Sequence, residues 1–235
     1  AISGGQFDNV ICSRCDAVVA LPKGSGRAFE AFIRELEGVL KNEYAVTDPD
    51  VTLTCAAAET AKAVSAERTV TLVQALTAMP QGVEAMDTDF PGLVQTSLNM
   101  GVVKLGGNGL HIAFSIRSSI ASRKLMLAQR VRAVAALAGG TVAERGVYPG
   151  WQYKRESQFR DTLLAAYKDL TGKDGVVEAT HGGLECGLLM EKIPGLDAVS
   201  MGPELHDVHS VRERLSVPST ERTYELVCEL LRRSC

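Results

Sequence analysis

Aromatic side chains are scarce, 5% of 235 residues with a single Trp, so any core must be built mainly from aliphatic residues. Long apolar runs are missing too. None approaches the roughly 20 residues that cross a bilayer, which excludes a transmembrane helix. No basic segment followed by an apolar one opens the chain, so no secretory signal is visible and a cytoplasmic location is expected. Ala1-Ile-Ser-Gly-Gly5 has no initiator Met and no pattern that predicts a helix or strand of its own, an opening expected of a chain that begins mid-protein. An excess of one charge is absent: the net charge is −3 with acids and bases interspersed, which argues against a nucleic-acid partner. The chain also lacks G-x-S-x-G, a Walker loop, G-x-G-x-x-G and H-E-x-x-H, removing the commonest hydrolase, nucleotide and zinc-helix signatures. Six cysteines (12, 15, 55, 186, 228 and 235) are scattered along a non-secreted chain, which reads as reduced thiols rather than a disulfide framework. Cys12 and Cys15 form one C-x-x-C. No second pair follows to complete a zinc site, and the surrounding alternation is that of a strand, not of the helix N-terminus a redox motif prefers.

What is present is ordinary globular material, 46% hydrophobic and 23% charged, enough for one or two domains. Val10 to Leu21 alternates like a strand. Phe29, Phe32, Ile33, Leu36, Val39 and Leu40 share one helical face over Arg27 to Asn42. Val51 to Ala56 predicts a strand, and Ser65 stands where it would cap a helix that Pro80 ends. Thr96 to Leu105 and Leu110 to Ser119 flank Gly106-Gly-Asn-Gly109, which is hairpin chemistry. Ser122 is placed to cap a helix through Ala138, and Thr141 to Val147 predicts another strand. Tyr148-Pro-Gly-Trp151 is a turn and the expected domain boundary. Beyond it come helix (Phe159–Leu170), strand (Val176–Thr180), helix (Leu184–Glu191), strand (Asp197–Met201) and helix (Pro218–Arg233). The expected fold class is therefore α/β: an α+β domain with an antiparallel sheet over residues 1–149, then a piece of a doubly wound α/β domain over 150–235.

Ligands of open α/β sheets bind beyond the carboxyl ends of the strands. Two segments fall there. In His181-Gly-Gly-Leu-Glu-Cys-Gly187, Gly182 and Gly183 allow close backbone approach, and the following helix offers free N–H groups to an anion. A plain strand-to-helix turn with Glu185 favourably placed in the first helical turn is the alternative. In Met201-Gly-Pro-Glu-Leu-His-Asp-Val-His209, two loop histidines three apart are candidate metal ligands or solvent-exposed bystanders. Arg117 closes a strand and is either a carboxylate clamp or an ordinary edge cation. His111 reads as structural.

His181-Gly-Gly-Leu-Glu-Cys-Gly-Leu188, Asp197-Ala-Val-Ser-Met-Gly-Pro203 and His209-Ser210 closely resemble the C-terminal stretch of aminoacyl-histidine dipeptidases, Xaa-His peptidases of a di-zinc clan. Gly4-Gly5 with Asn9, Thr96-Ser-Leu-Asn-Met-Gly-Val-Val103, Ile116-Arg-Ser118 and Tyr148-Pro-Gly-Trp151 look like that family's substrate lid. The resemblance implies a lid domain over 1–149, N-terminally incomplete, and the end of a catalytic domain over 150–235. It implies hydrolysis of short peptides, Xaa-His preferred, by a metal-bound water at two zinc ions, with cobalt and manganese as alternatives sharing the same ligand types. His209 matches a metal ligand. Asn9 and Arg117 match lid residues that contact substrate, the Arg taking its carboxylate, and Gly182-Gly183 matches the substrate-facing turn. The family's other ligands lie in an N-terminal His-x-Asp and an adjacent acidic pair, neither of which occurs here. A missing N-terminal half is thus an expected partner, the chain alone should be inert, and the lid sheet is a candidate homodimer surface. A non-catalytic remnant that binds a peptide or partner is the rival reading. A third would make Cys186 a nucleophile with His181 as base.

Overall fold

The computed structural model describes residues 1–59, 62–107, 109–180, 184–208 and 210–234. In chain order the elements are β1 (Ile2–Gly4), β2 (Cys15–Ala17), α1 (Gly26–Glu43), α2 (Ala66–Ala78), β3 (Gly82–Met86), β4 (Val94–Gly106), β5 (Gly109–Ser118), α3 (Ala121–Leu137), α4 (Gln158–Thr171), α5 (Glu185–Lys192), β6 (Leu205–His206), β7 (Arg214–Leu215) and α6 (Val217–Ser234). They group into two compact units, one of residues 1–78 with 99–115 and one of 79–98 with 116–235, so β4 and β5 each contribute residues to both. The expected division at 149/150 concerns the architecture of a longer enzyme and is a different partition from this one.

In the first unit β1 runs antiparallel to both its neighbours, pairing Gly4 with Cys15 of β2 and with Val103 of β4. Gly5 has φ +71°, and a methyl group added there would fall 1.7 Å from the Gly101 carbonyl oxygen of β4, so only glycine allows the backbones to come so close. The long amphipathic helix α1 forms where its apolar spacing predicts, and α2 starts where Ser65 accepts a hydrogen bond from Arg68 N at 3.3 Å.

In the second unit β3 pairs antiparallel with Val94–Leu98 of β4, with register shifts around Ala85. Leu98 is buried, as are Leu127, Val131 and Ala135, which return every four residues along α3. Ala166 of α4 packs with Leu226 and Leu230 of α6, flanked by Leu163 and Tyr167. The Ser157 side chain caps α4 by accepting from Arg160 N, and α4 ends on left-handed Gly172. Asp197 reinforces this start: its carboxylate accepts from Phe159 N at 3.0 Å and from the Ser157 hydroxyl at 2.8 Å. No helix among the described residues is long and apolar enough to cross a membrane.

The antiparallel sheet with flanking helices follows expectation, and the hairpin strands end at Gly106 and restart at Gly109. Several expected strands do not form. Of Val10–Leu21 only Cys15–Ala17 is paired, since alternation there buries nothing and Ile11 is 82% exposed. Val51–Ala56 has no strand and is tied to α1 through Leu53 N and the Glu37 carboxylate, 3.4 Å apart. Thr141–Val147 has none either; its Glu144 meets Arg132 of α3 at 2.6 Å. Val176–Thr180 and Asp197–Met201, expected in a parallel sheet, also carry no strand, and every strand pairing among the described residues is antiparallel. Their apolar patterns permit a strand, but a strand exists only where a neighbouring ladder meets it, and Val176 is left 83% exposed. Ser122 lies inside α3, whose N-cap is Ile120.

The backbone hydrogen bond from Phe159 is the main cause that holds the Asp197 carboxyl below the usual aspartate range, with help from the Ser157 hydroxyl and Lys154. A lowered folded value means the stabilisation is complete above the ordinary value and disappears as pH falls through the folded one. We predict that the stability gap between wild type and Asp197→Asn in urea unfolding is full at neutral pH and closes under acid. Ser157→Ala should cost about 1 kcal/mol at neutral pH.

Candidate functional site

Arg117 sits one residue from the end of β5, and the end is anchored by hydroxyls. Thr96 of β4, fully buried, shares a 2.8 Å hydrogen bond with the Ser118 hydroxyl. The Ser118 hydroxyl donates to Ile120 O and accepts from Ile120 N, each at 3.0 Å, which leaves Thr96 to donate the shared bond. Ser119 N donates to Gln95 O at 3.3 Å. Arg117 is therefore fixed in its backbone while its half-buried side chain makes no ion pair or hydrogen bond among the described residues.

The Tyr148-Pro149-Gly150 turn lies directly on this strand end. A methyl group on Gly150 would stand 2.5 Å from Ser118 O and 2.7 Å from Ser119 O. On its other side the same turn meets the first turn of α5. Gly187 is buried, and a methyl group there would be 3.2 Å from Gly150 O and 3.3 Å from Pro149 O. Two glycines thus stack three backbone segments: the end of β5, the Pro-Gly turn and the start of α5. Lys124 of α3 fastens the turn by donating to Tyr148 O and placing its ammonium 4.8 Å above the Tyr148 ring. Burial pushes the Lys124 ammonium below its usual value, against the opposing pull of Glu144 and Glu191. Glu185 is the exposed first residue of α5, beyond the uncapped N-terminal residue Leu184.

Asn9 belongs to the first unit. It is exposed in a turn whose flanking carbonyls, Asp8 O and Val10 O, both accept from the Asn99 amide of β4, at 2.7 and 2.9 Å. The turn also lies on Gly101, where a methyl group would come 2.3 Å from Phe7 O. The loop that carries Asn9 is therefore held through its backbone, leaving the Asn9 side chain to solvent.

Gly182, Gly183, His181 and His209 lie outside the described residues. His206 is exposed in β6, opposite Arg214. Cys186 is half-buried on α5, and the base proposed for it, His181, falls outside the described set. Among the described residues no three His, Cys, Asp or Glu side chains group to hold a metal ion. Three protein ligands are the usual minimum for a metal centre, so any centre here would need donors from beyond the described residues.

Cytosol non-specific dipeptidase of Escherichia coli (strain K12) is 31% identical to this chain over 231 residues, 98% of the chain and 48% of that protein. The crystal structure of aminoacylhistidine dipeptidase from Vibrio alginolyticus matches with a TM-score of 0.90 and 30% identity, over 99% of this chain and 48% of the other. The chain is a relative of these dipeptidases. It spans about half the length of the dipeptidases it matches, and its helices and antiparallel sheet correspond to the C-terminal part of their fold. Aminopeptidase PepT from Bacillus cereus ATCC 10987 is more distant, with a TM-score of 0.53 and 20% identity over 69% of this chain and 44% of its own, and speaks for the fold alone. No protein-family model matches the chain.

Two residues of this dipeptidase relative bear on the Arg117 region without having stood out in the sequence. Lys124 gave no signal, because a helical lysine ordinarily faces water. Gln95 alternates unremarkably along β4, yet its side-chain carbonyl oxygen is buried with no hydrogen-bond partner among the described residues. The backbone stack itself makes a prediction. Gly150→Ala, which forces a methyl against two carbonyl oxygens, should destabilise by about 1–3 kcal/mol. Gly187→Ala, where the contacts are looser, should cost clearly less. Equilibrium urea unfolding of both variants gives the ranking.

Proposed function

We propose that the chain is the substrate-lid and C-terminal part of a metal-dependent dipeptidase that hydrolyses short peptides, with Xaa-His dipeptides preferred. The observation that carries this reading is Arg117: a half-buried residue whose guanidinium has no protein partner among the described residues, at a strand end packed through Gly150 onto the start of α5. A guanidinium so placed suits a bidentate carboxylate, such as the C-terminal carboxylate of a dipeptide. The names and fold of the relatives support the same chemistry. One relative is named a cytosol dipeptidase, which supports a cytosolic location here.

In this proposal Arg117 takes the peptide carboxylate, and Asn9 is a substrate contact by resemblance alone. By the resemblance, Gly182, Gly183 and Glu185 contact the substrate. A metal, zinc by resemblance, held in part by His209, would supply an activated water at the scissile carbonyl. His209 is this chain's contribution to holding it, and the remaining ligands come from the half that the longer relatives possess. This chain's own residues position the peptide and do not supply the hydrolytic group.

The test uses the full-length protein and an Xaa-His dipeptide. Hydrolysis that a chelator abolishes supports the reading. Dipeptide binding without turnover under any metal would favour a peptide-binding remnant instead. Arg117→Ala removes a charge-assisted hydrogen-bonded contact worth about 1.5–3 kcal/mol, so KM should rise roughly 10- to 100-fold with a smaller fall in kcat. His209→Ala should lower bound metal measured by mass spectrometry and abolish turnover. Unchanged kinetics in either variant would remove that residue from the site.

A further inference from the structure

The C-x-x-C of the first unit is placed differently from what its sequence suggests. Cys15 lies in β2 directly across from Gly4 of β1. A methyl group on buried Gly4 would be 2.9 Å from the Cys15 sulfur and 3.4 Å from the Cys12 sulfur. Both sulfurs thus converge on the space left by one absent side chain. Cys12 is turned back by its own hydrogen bond, Sγ donating to Arg14 O at 3.0 Å, and the same carbonyl accepts from Gly5 N at 3.3 Å. Both thiols therefore lie to one side, next to Gly4. Cys15 is exposed and Cys12 half-exposed, so a small reagent reaches them.

We propose that Cys12 and Cys15 form a dithiol modification site, which a low-molecular-weight disulfide of the glutathione type converts into an intramolecular disulfide. One thiolate attacks the S–S bond of the reagent, giving a mixed disulfide and releasing one small thiolate. The second protein thiolate attacks the mixed disulfide at the protein sulfur and releases the other small thiolate. Two electrons pass from the protein pair to the reagent, and the two protons lost by the cysteines are taken up by the small thiolates. Burial, then the nearby Cys12 and Asp16, pushes the Cys15 thiol up, so the exchange quickens as pH rises through its range. The strand setting thus makes this a pair that is oxidised slowly and held well, unlike a helix-terminal redox motif.

Arg14 between the two cysteines provides the readout. Trypsin cleaves after Arg14 and Lys23, leaving Cys12 and Cys15 on separate peptides that stay joined only if their sulfurs are bonded. The full chain is equilibrated in oxidised and reduced glutathione, quenched with acid, alkylated, digested and weighed. The expected product is the peptide ending at Arg14 linked to Cys15–Lys23. Because the fold has already brought the sulfurs together, it should survive about tenfold more reduced glutathione than in the urea-unfolded chain. Cys12→Ser should instead stop at a glutathione adduct on Cys15. Equal resistance in the folded and unfolded chains overturns the proposal. So do stable adducts on both cysteines of the wild type, or linkage of either to the exposed Cys55.

Discussion

Close backbone contact at Gly150 is the constraint from which the second unit's site follows. The strand end bearing Arg117, the Pro-Gly turn and the first turn of α5 can meet only because positions 150 and 187 have no side chain. Protein interiors yield little to added atoms, so a methyl group at 150 cannot be absorbed by a flexible neighbour when the neighbours are carbonyl oxygens. Hydroxyls then fix the strand end, through Thr96, Ser118 and Ile120, while Lys124 fixes the turn. The Arg117 side chain is the part left without a partner.

The first unit uses the same device. Gly5 lies on Gly101, Gly101 lies under the Phe7–Asp8 backbone, and the Asn99 amide grips the carbonyls on either side of Asn9. In both units the candidate side chain, Arg117 or Asn9, is carried by closely packed backbone rather than held by contacts of its own, an arrangement that would suit exchange of water for a ligand with little reorganisation. Gly4 extends the pattern by making room for two sulfurs.

How far the sequence foretold this depends on the kind of signal. Helices with a clear apolar period or cap, such as Gly26–Glu43 and Gln158–Thr171, were legible to within one or two residues. The β4–β5 hairpin was legible from its glycine-rich turn. The other expected strands were not, because alternation in 10–21 or apolar runs at 176–180 and 197–201 say that a residue tolerates a sheet, not that a neighbouring strand is present. The two-residue strands Leu205–His206 and Arg214–Leu215 left no pattern at all. Arg117 and the Pro-Gly turn drew attention in the sequence itself, and Asn9 through the family resemblance. What the glycines do there was not, since a close approach joins segments distant in the chain. The same blindness applied to Cys12 and Cys15, whose shared direction depends on Gly4 across the sheet.

The central claim is that the Arg117 guanidinium takes a peptide carboxylate beside the start of α5. The most direct measurement is NMR of the full-length protein titrated with an Xaa-His dipeptide under chelation, which prevents turnover. The account predicts that the Arg117 Nε–H signal and the backbone amides of Glu185 to Gly187 shift together, saturating at one concentration, and that an analogue with an amidated C-terminus moves neither. Saturable dipeptide binding that leaves the Arg117 signal in place would contradict it.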